Sequence, residues 1–226
     1  MAVVLVALAA GLVSRADTTH HAVADQQHVA DGSAPTTPAG ARPADVPECA
    51  AGCDTAFTLA LPGDAVLAGL QTTPVASPPV ALLGYWVAGR LRASTTVSGQ
   101  DGLPYEQVIS GSCAPDGDSQ RCVVSFAFAM QGRAVAALRV HPDHGITPTD
   151  TVEGEAIDPV LVDLDGNGRA DAVLRRSTYE PDFATGPQYW ETWVEADGVF
   201  THTGCTEPVA GDQPVPTHPA TGPCRP

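Results

Sequence analysis

From residue 49 onward, short apolar stretches alternate with turns rich in Gly, Pro and Asp. Apolar stretches of this length, rich in branched and aromatic residues, are typical of β-strands. The predicted strands are 55–61, 80–90, 105–109, 122–130 and 133–140, and the predicted turns are 61–64, 98–103 and 116–118. Only 65–70 suggests a turn of helix. The pattern therefore predicts a mainly β fold with antiparallel sheets, either partly propeller-like or sandwich- or barrel-like.

The clearest alternation lies in 122–130. Val124, Phe126, Phe128 and Met130 alternate with the smaller Val123, Ser125, Ala127 and Ala129. Since successive side chains of a strand point to opposite faces, we expect the face with the larger side chains to be the core face. Gln131-Gly132 is a tight link to the next strand, so 122–140 is predicted to be a β-hairpin.

A different pattern appears at 159–175, where oxygen-bearing side chains occupy alternate positions. Asp163, Asp165 and Asn167 are followed by Asp171, and Gly168 stands where the backbone must turn sharply. A hard cation such as Ca²⁺ takes about six to eight oxygen ligands, and a tight loop supplies them from positions one, three, five, seven and nine. These residues therefore predict a calcium loop.

Position seven of this loop is Arg169, which would contribute only its backbone carbonyl while its side chain points outward. Position twelve, a bidentate Glu in an EF-hand, is Leu174 here, which argues against an EF-hand. The short apolar runs 160–162 and 172–174 favour a loop between two strands. The stretch 188–200 predicts a third strand, a turn and the start of a fourth.

The segment from about 155 to 204 resembles one FG-GAP or VCBS-type repeat. In that family a strand leads into Asp-x-Asp-x-Asn-Gly-x-x-Asp, a second strand leaves it, and a later strand ends in an Asp-Gly-x-Phe-like turn. The loop matches through Asp163, Asp165, Asn167, Gly168 and Asp171, and the turn matches through Asp197, Gly198 and Phe200. The resemblance implies a calcium-binding β-repeat. Family members commonly repeat the unit around a β-propeller, and this chain has one clear copy.

The alternative for the same loop is an ordinary turn, because Asp, Asn and Gly tolerate left-handed backbone and cap their own main chain. Asn167 is the only Asn in the chain, and it falls on a ligand position. This favours the metal loop.

Composition limits the functional classes. The formal net charge of −15 argues against nucleic-acid binding, which needs a basic surface. All eleven cationic residues are Arg, which we interpret as the coding bias of a GC-rich bacterial genome. The length fits one compact domain.

Six cysteines form three pairs of neighbours in the sequence: Cys49 with Cys53, Cys113 with Cys122, and Cys205 with Cys224. Six cysteines allow 15 pairings, and we expect the local one. A zinc site is the alternative, but the spacings are not those of zinc knuckles.

Residues 1–13 form an apolar run shorter than a membrane span, which suits a signal or anchor segment whose true start lies upstream. A polar linker, 14–47, is predicted to be disordered and contains His20, His21 and His28. The β-domain would span 48–205, and 206–226 is a Pro-rich tail. The protein is therefore expected to be secreted, or anchored outside the cytoplasm through its N-terminus.

Other candidate groups are weaker. His141 and His144 are spaced as a metal pair on a helix, but Pro142 and Gly145 favour a turn. Glu153 and Glu155 alternate on an extended segment and are expected to face solvent. Ser110-Gly111-Ser112-Cys113 lacks the Gly-x-Ser-x-Gly elbow of a hydrolase.

Tyr189, Trp190 and Trp193 are expected to pack mainly in the core, with sugar or partner binding as the alternative. Taken together, the sequence favours a non-catalytic binding, adhesion or structural envelope module with structural Ca²⁺ and an unknown protein or carbohydrate ligand. The alternatives are a secreted hydrolase whose active site the sequence does not reveal, and a structural domain with a metal-free turn.

Overall fold

The computed structural model describes residues 40–73, 78–155 and 157–224. The apolar segment 1–13, the three linker histidines and most of the linker 14–47 lie outside this range. Within it no helix is long and apolar enough to span a bilayer.

The fold is mainly β, as predicted, and consists of three four-stranded antiparallel sheets. Sheet 1 contains β1 (Cys53–Leu61), β2 (Ala65–Thr72), β3 (Ala81–Val87) and β4 (Arg90–Thr96). Sheet 2 contains β5 (Gln107–Asp116), β6 (Ser119–Phe128), β7 (Gly132–His141) and β8 (Gly145–Glu155). Sheet 3 contains β9 (Val160–Val162), β10 (Asp171–Ser177), β11 (Gln188–Ala196) and β12 (Val199–Cys205). In each sheet the strands that are consecutive in sequence are neighbours.

Sheet 2 lies between the other two sheets, because both of its faces are apolar. Val124 and Phe126 pack with Leu67 and Leu83 of sheet 1. The alternate residue Val123 packs toward sheet 3 with Leu174 and Phe200. The predicted core face is confirmed for Val124 and Phe126, but the opposite face of β6 is buried as well, and Met130 lies exposed in the following turn. The hairpin over 122–140 is confirmed.

The helical turn suggested for 65–70 was wrong, because these residues belong to β2. Val66 packs in one cluster with Val46, which precedes β1. The next residue, Leu67, faces the core shared with sheet 2. A strand that is buried on both faces has no polar alternation. β4 and β8, which no apolar stretch predicts, are the outer strands of their sheets. There a polar sequence, or Pro148 within β8, is tolerated.

The two outer faces of the stack are covered by the segments that precede β1 and follow β12. Two short 3-10 helices, Pro43–Asp45 and Pro47–Cys49, lie over sheet 1, and Ala41 and Val46 are buried there although they fall within the predicted linker. The tail after β12 lies along sheet 3: the backbone of Val209 pairs with Gln188.

All three expected disulfides are present, joining Cys49 to Cys53, Cys113 to Cys122 and Cys205 to Cys224. No free cysteine occurs in the described ranges. Disulfides persist in oxidising compartments, so these three are compatible with an extracytoplasmic protein.

Candidate metal centre

The predicted calcium loop joins two adjacent antiparallel strands, as the sequence indicates. In the β9–β10 pair, Val162 lies opposite Asp171. Asp163 therefore leaves one strand next to the point where Asp171 begins the other. Gly166 and Gly168 both have positive φ, 78° and 80°, which lets the connection turn back within eight residues. The register of the hairpin thus brings the first and ninth positions of the motif together.

Three carboxylates converge in this loop. Asp163, Asp165 and Asp171 each offer one oxygen, and these oxygens lie within 4.8 Å of one another. Within the described ranges no Arg or His forms an ion pair with any of the three. Among the described residues, mutual repulsion of the negative charges in this cluster is relieved by backbone N–H groups and by the Asn167 side-chain amide, which donates to Asp165.

Asp163 is the hub of the loop's own hydrogen bonds. Its Oδ1 accepts the N–H groups of Gly166 and Asn167 at 2.7 and 3.1 Å, and its Oδ2 accepts the N–H of Gly168 at 2.8 Å. These bonds favour the ionised carboxylate, and the largest contribution, from Gly168, helps to lower the pKa of Asp163 below its usual range. Asp163 is therefore held as an anion facing the other two carboxylates.

Asp171 differs from Asp163 because it is fully buried. Its Oδ2 accepts the N–H of Leu164 and its Oδ1 accepts the N–H of Glu195, both at 2.8 Å. Burial raises the pKa of Asp171, and the charges of Asp165 and Asp163 raise it further. A bound cation would favour the ionised form of this buried carboxylate.

The other two predicted ligands, Asn167 and Arg169, do not belong to the cluster of three carboxylates. The Oδ1 of Asn167 accepts the N–H of Arg169 at 2.7 Å, and its Nδ2 donates to Asp165 at 3.0 Å. The guanidinium of Arg169 lies 3.6 Å from Asp116 at the end of β5, so this side chain pairs away from the three carboxylates. Its backbone carbonyl is left as the group that could serve position seven.

The donor set suits a hard cation, because it contains carboxylate, amide and carbonyl oxygens and neither imidazole nor sulfur. Asp163, Asp165 and Asp171 would supply the charge. Asn167 and the carbonyl of Arg169 would complete the protein ligands. The residues present therefore fit Ca²⁺.

Sequence reasoning did not identify Arg121 and Glu195, which lie next to this loop. The backbone N–H of Glu195 donates to Asp171 of the loop. Arg121 donates to Asp116 at 2.8 Å, to Asp197 at 2.9 Å and to Glu195 at 3.4 Å. Asp116 also pairs with Arg169, so the loop is linked to sheet 2 through this ion network. Neither Arg121 nor Glu195 lies in a motif, and their contact joins positions that are far apart in sequence.

A second group of metal-binding residue types lies on sheet 3. Glu191, His202, Cys205 and Cys224 each offer one ligand atom, and these atoms lie within 4.8 Å of one another. However, Cys205 and Cys224 form a disulfide, and metals bind the thiolate form of cysteine. This group is therefore not a metal site in the oxidised protein.

The remaining candidate residues have structural surroundings. Trp190 and Tyr189 are almost fully buried, in agreement with the expected core packing. His141 ends β7, and the residues up to His144 form a turn in which the two imidazole rings stack at 4.6 Å. Ser110 hydrogen bonds to Ser125 across the β5–β6 pair.

Glu153 and Glu155 do not face solvent as expected. Glu153 accepts a hydrogen bond from the Tyr105 hydroxyl at 3.1 Å. Glu155 accepts one from Tyr179 and lies 3.6 Å from Arg176. Both glutamates are half-buried, because neighbouring loops and sheet 3 cover the outer strand β8.

Comparison with known proteins adds no assignment, since no family model, curated protein or solved structure matches the chain.

Proposed function

We propose that the protein is an exported, non-catalytic β-domain that binds one structural Ca²⁺ ion in the loop 163–171. Its role would be that of a binding, adhesion or structural envelope module. The observation that carries this proposal is the convergence of three carboxylate oxygens within 4.8 Å without a cationic partner among the described residues. A divalent ion between β9 and β10 would neutralise this charge and hold the connection closed.

Two further observations support the proposal. The loop lies between the first two strands of a four-stranded antiparallel sheet, and the turn at Asp197 and Gly198 joins the last two. This is the strand sequence that the resemblance to an FG-GAP or VCBS-type repeat implies. The three disulfides fit export into an oxidising compartment, and extracellular modules bind calcium with Kd of about 10⁻⁴–10⁻³ M.

Calcium is therefore expected to raise the melting temperature. Extracellular modules bind Ca²⁺ with Kd of about 10⁻⁴–10⁻³ M, so 10 mM Ca²⁺, about 10 to 100 times Kd, would add about 1.4–2.7 kcal/mol of stability. For a domain of this size the increase corresponds to about 3–10 °C. The measurement is calorimetry or circular dichroism of metal-depleted protein with and without 10 mM Ca²⁺.

The variant Asp165→Ala should abolish this rise, because it removes one of the three converging carboxylates. Asp165 is exposed, so its replacement is expected to leave the fold intact. Asp212→Ala is the matched control, since Asp212 is an exposed carboxylate outside the loop. Equal calcium shifts in wild type and Asp165→Ala would contradict the proposed site.

A secreted hydrolase remains the second candidate, and one observation bears on it. His144 and Asp143 line a cavity of about 390 Å³ together with Arg92. Among the described residues that line this cavity, none carries a hydroxyl or thiol nucleophile. A screen with ester, glycoside and peptide substrates tests this candidate: turnover that His144→Ala removes would replace the non-catalytic proposal.

A further inference from the structure

A larger cavity, of about 590 Å³, lies where the connection between β4 and β5 meets the turn between β6 and β7. Its volume falls within the range of about 300–1,000 Å³ typical of small-molecule sites. Phe128 provides an aromatic wall, backed by the buried ring of Tyr105 with ring centroids 5.2 Å apart, and Leu103 and Pro104 extend the apolar surface. Leu103 is 65% exposed, so an apolar ligand would cover a side chain that now faces water.

One corner of the cavity is polar and centred on Glu153. The Oε1 of Glu153 accepts the Tyr105 hydroxyl at 3.1 Å and the N–H of Gln100 at 3.3 Å. Burial, followed by the charge of Glu153, raises the pKa of Tyr105, so the phenol keeps its proton and remains a donor to the carboxylate. Gly99 borders this corner, because a Cβ at that position would lie 2.8 Å from Glu153 Oε1.

The charge of the cavity has a single sign. Asp101 and Glu106 line it together with Glu153, and the described residues that line it include no Arg or His. Glu153 has no cationic ion-pair partner within the described ranges. An anionic ligand would be repelled, whereas an ammonium group would gain attraction from the carboxylates and from the ring of Phe128.

We propose that this cavity binds an organic cation, in which one ammonium group is carried on an aromatic or other apolar body. The ammonium would lie against Glu153, and the apolar body would pack on Phe128, Leu103 and Pro104. The residues of the calcium loop do not line the cavity, so this site is separate from the proposed metal centre. The domain would then recognise a small molecule as well as hold an ion.

The proposal is tested with three probes that share one indole ring: tryptamine, tryptophol and indole-3-propionate. Titration calorimetry gives the affinities, and two-dimensional NMR of the full chain locates the binding. Tryptamine is expected to bind at least about tenfold more tightly than tryptophol, the size of one partly screened ion pair. Indole-3-propionate is expected not to bind. The shifted NMR signals should be those of the cavity residues.

Glu153→Gln should reduce tryptamine affinity to that of tryptophol while leaving tryptophol unchanged, because glutamine keeps an acceptor for Tyr105 but carries no charge. Glu155→Gln is the matched control, since it removes the same charge from the same strand outside the cavity lining. Gly99→Ala is a second variant and should lower the affinity for tryptamine, because the added methyl group would fill the polar corner.

Three results would overturn the proposal: no tryptamine binding at millimolar concentration, equal affinity for tryptamine and tryptophol, or NMR shifts confined to residues outside the cavity. An undiminished tryptamine preference in folded Glu153→Gln would also overturn it. If that variant fails to fold, Gly99→Ala decides, and unchanged tryptamine affinity in it counts against the site.

Discussion

Replacing Arg121 with alanine is expected to lower the free energy of unfolding by about 3–5 kcal/mol, the cost of breaking a buried ion pair from one side. The Arg121 side chain is 9% exposed and contacts three carboxylates. Its Nη1 lies 3.4 Å from Glu195, whose side chain is only 2% exposed. One oxygen of Glu195, Oε2, has no hydrogen-bond partner among the described residues, so the truncation would leave a buried carboxylate without its cation.

Urea unfolding measures this effect through the midpoint and slope of the transition. Arg139→Ala is the matched control, because Arg139 pairs with the same Asp116 but is 49% exposed. An exposed pair of this kind contributes about 0–1 kcal/mol. If Arg121→Ala were as stable as Arg139→Ala, the ion network would not join sheets 2 and 3 as described.

Removing the Cys205–Cys224 disulfide by double replacement with alanine is expected to cost about 3 kcal/mol. The two cysteines are 19 residues apart, and closing a loop of this length restricts the unfolded chain by about that amount. The bridge also holds the tail on sheet 3, where Trp190 Nε1 donates to the carbonyl of Gln213 and Arg175 donates to that of Gly211. Without the bridge, these contacts should open locally.

Urea unfolding gives the loss of stability, and hydrogen exchange over 206–224 reports the opening of the tail. The control is double replacement of Cys49 and Cys53, which are only four residues apart. That change should cost less, about 2 kcal/mol, and should leave exchange in the tail unaltered. Unchanged stability together with full protection of the tail would show that its packing does not depend on the disulfide.

The parts of the fold that the sequence predicts are those fixed by local interactions. Alternation of apolar residues predicted the hairpin 122–140, and the short apolar runs 160–162 and 172–174 predicted a β–β connection at 163–171. The disulfides join cysteines that are neighbours in the sequence. The local pattern was misleading for β2 and did not reveal the second buried face of β6, and in both cases the cause is burial on both faces. Such burial depends on which sheets stack together, and local sequence does not encode it.

The candidate sites likewise contain residues that local sequence predicts and residues whose roles depend on distant contacts. The register of β9 and β10 follows from the loop, so the meeting of Asp163 with Asp171 was predictable. The roles of Arg121, Glu195 and Glu153 were not, because each depends on a partner at least 48 residues away, such as Tyr105 for Glu153. Their sequence context is that of ordinary charged strand residues.

The central claim, that the loop 163–171 binds one calcium ion, is tested most directly by calorimetric titration of metal-depleted protein with Ca²⁺. We predict one ion per chain with Kd of about 10⁻⁴–10⁻³ M, and no binding to Asp165→Ala. Absence of binding at 10 mM Ca²⁺, or a site that persists unchanged in Asp165→Ala, would contradict the claim.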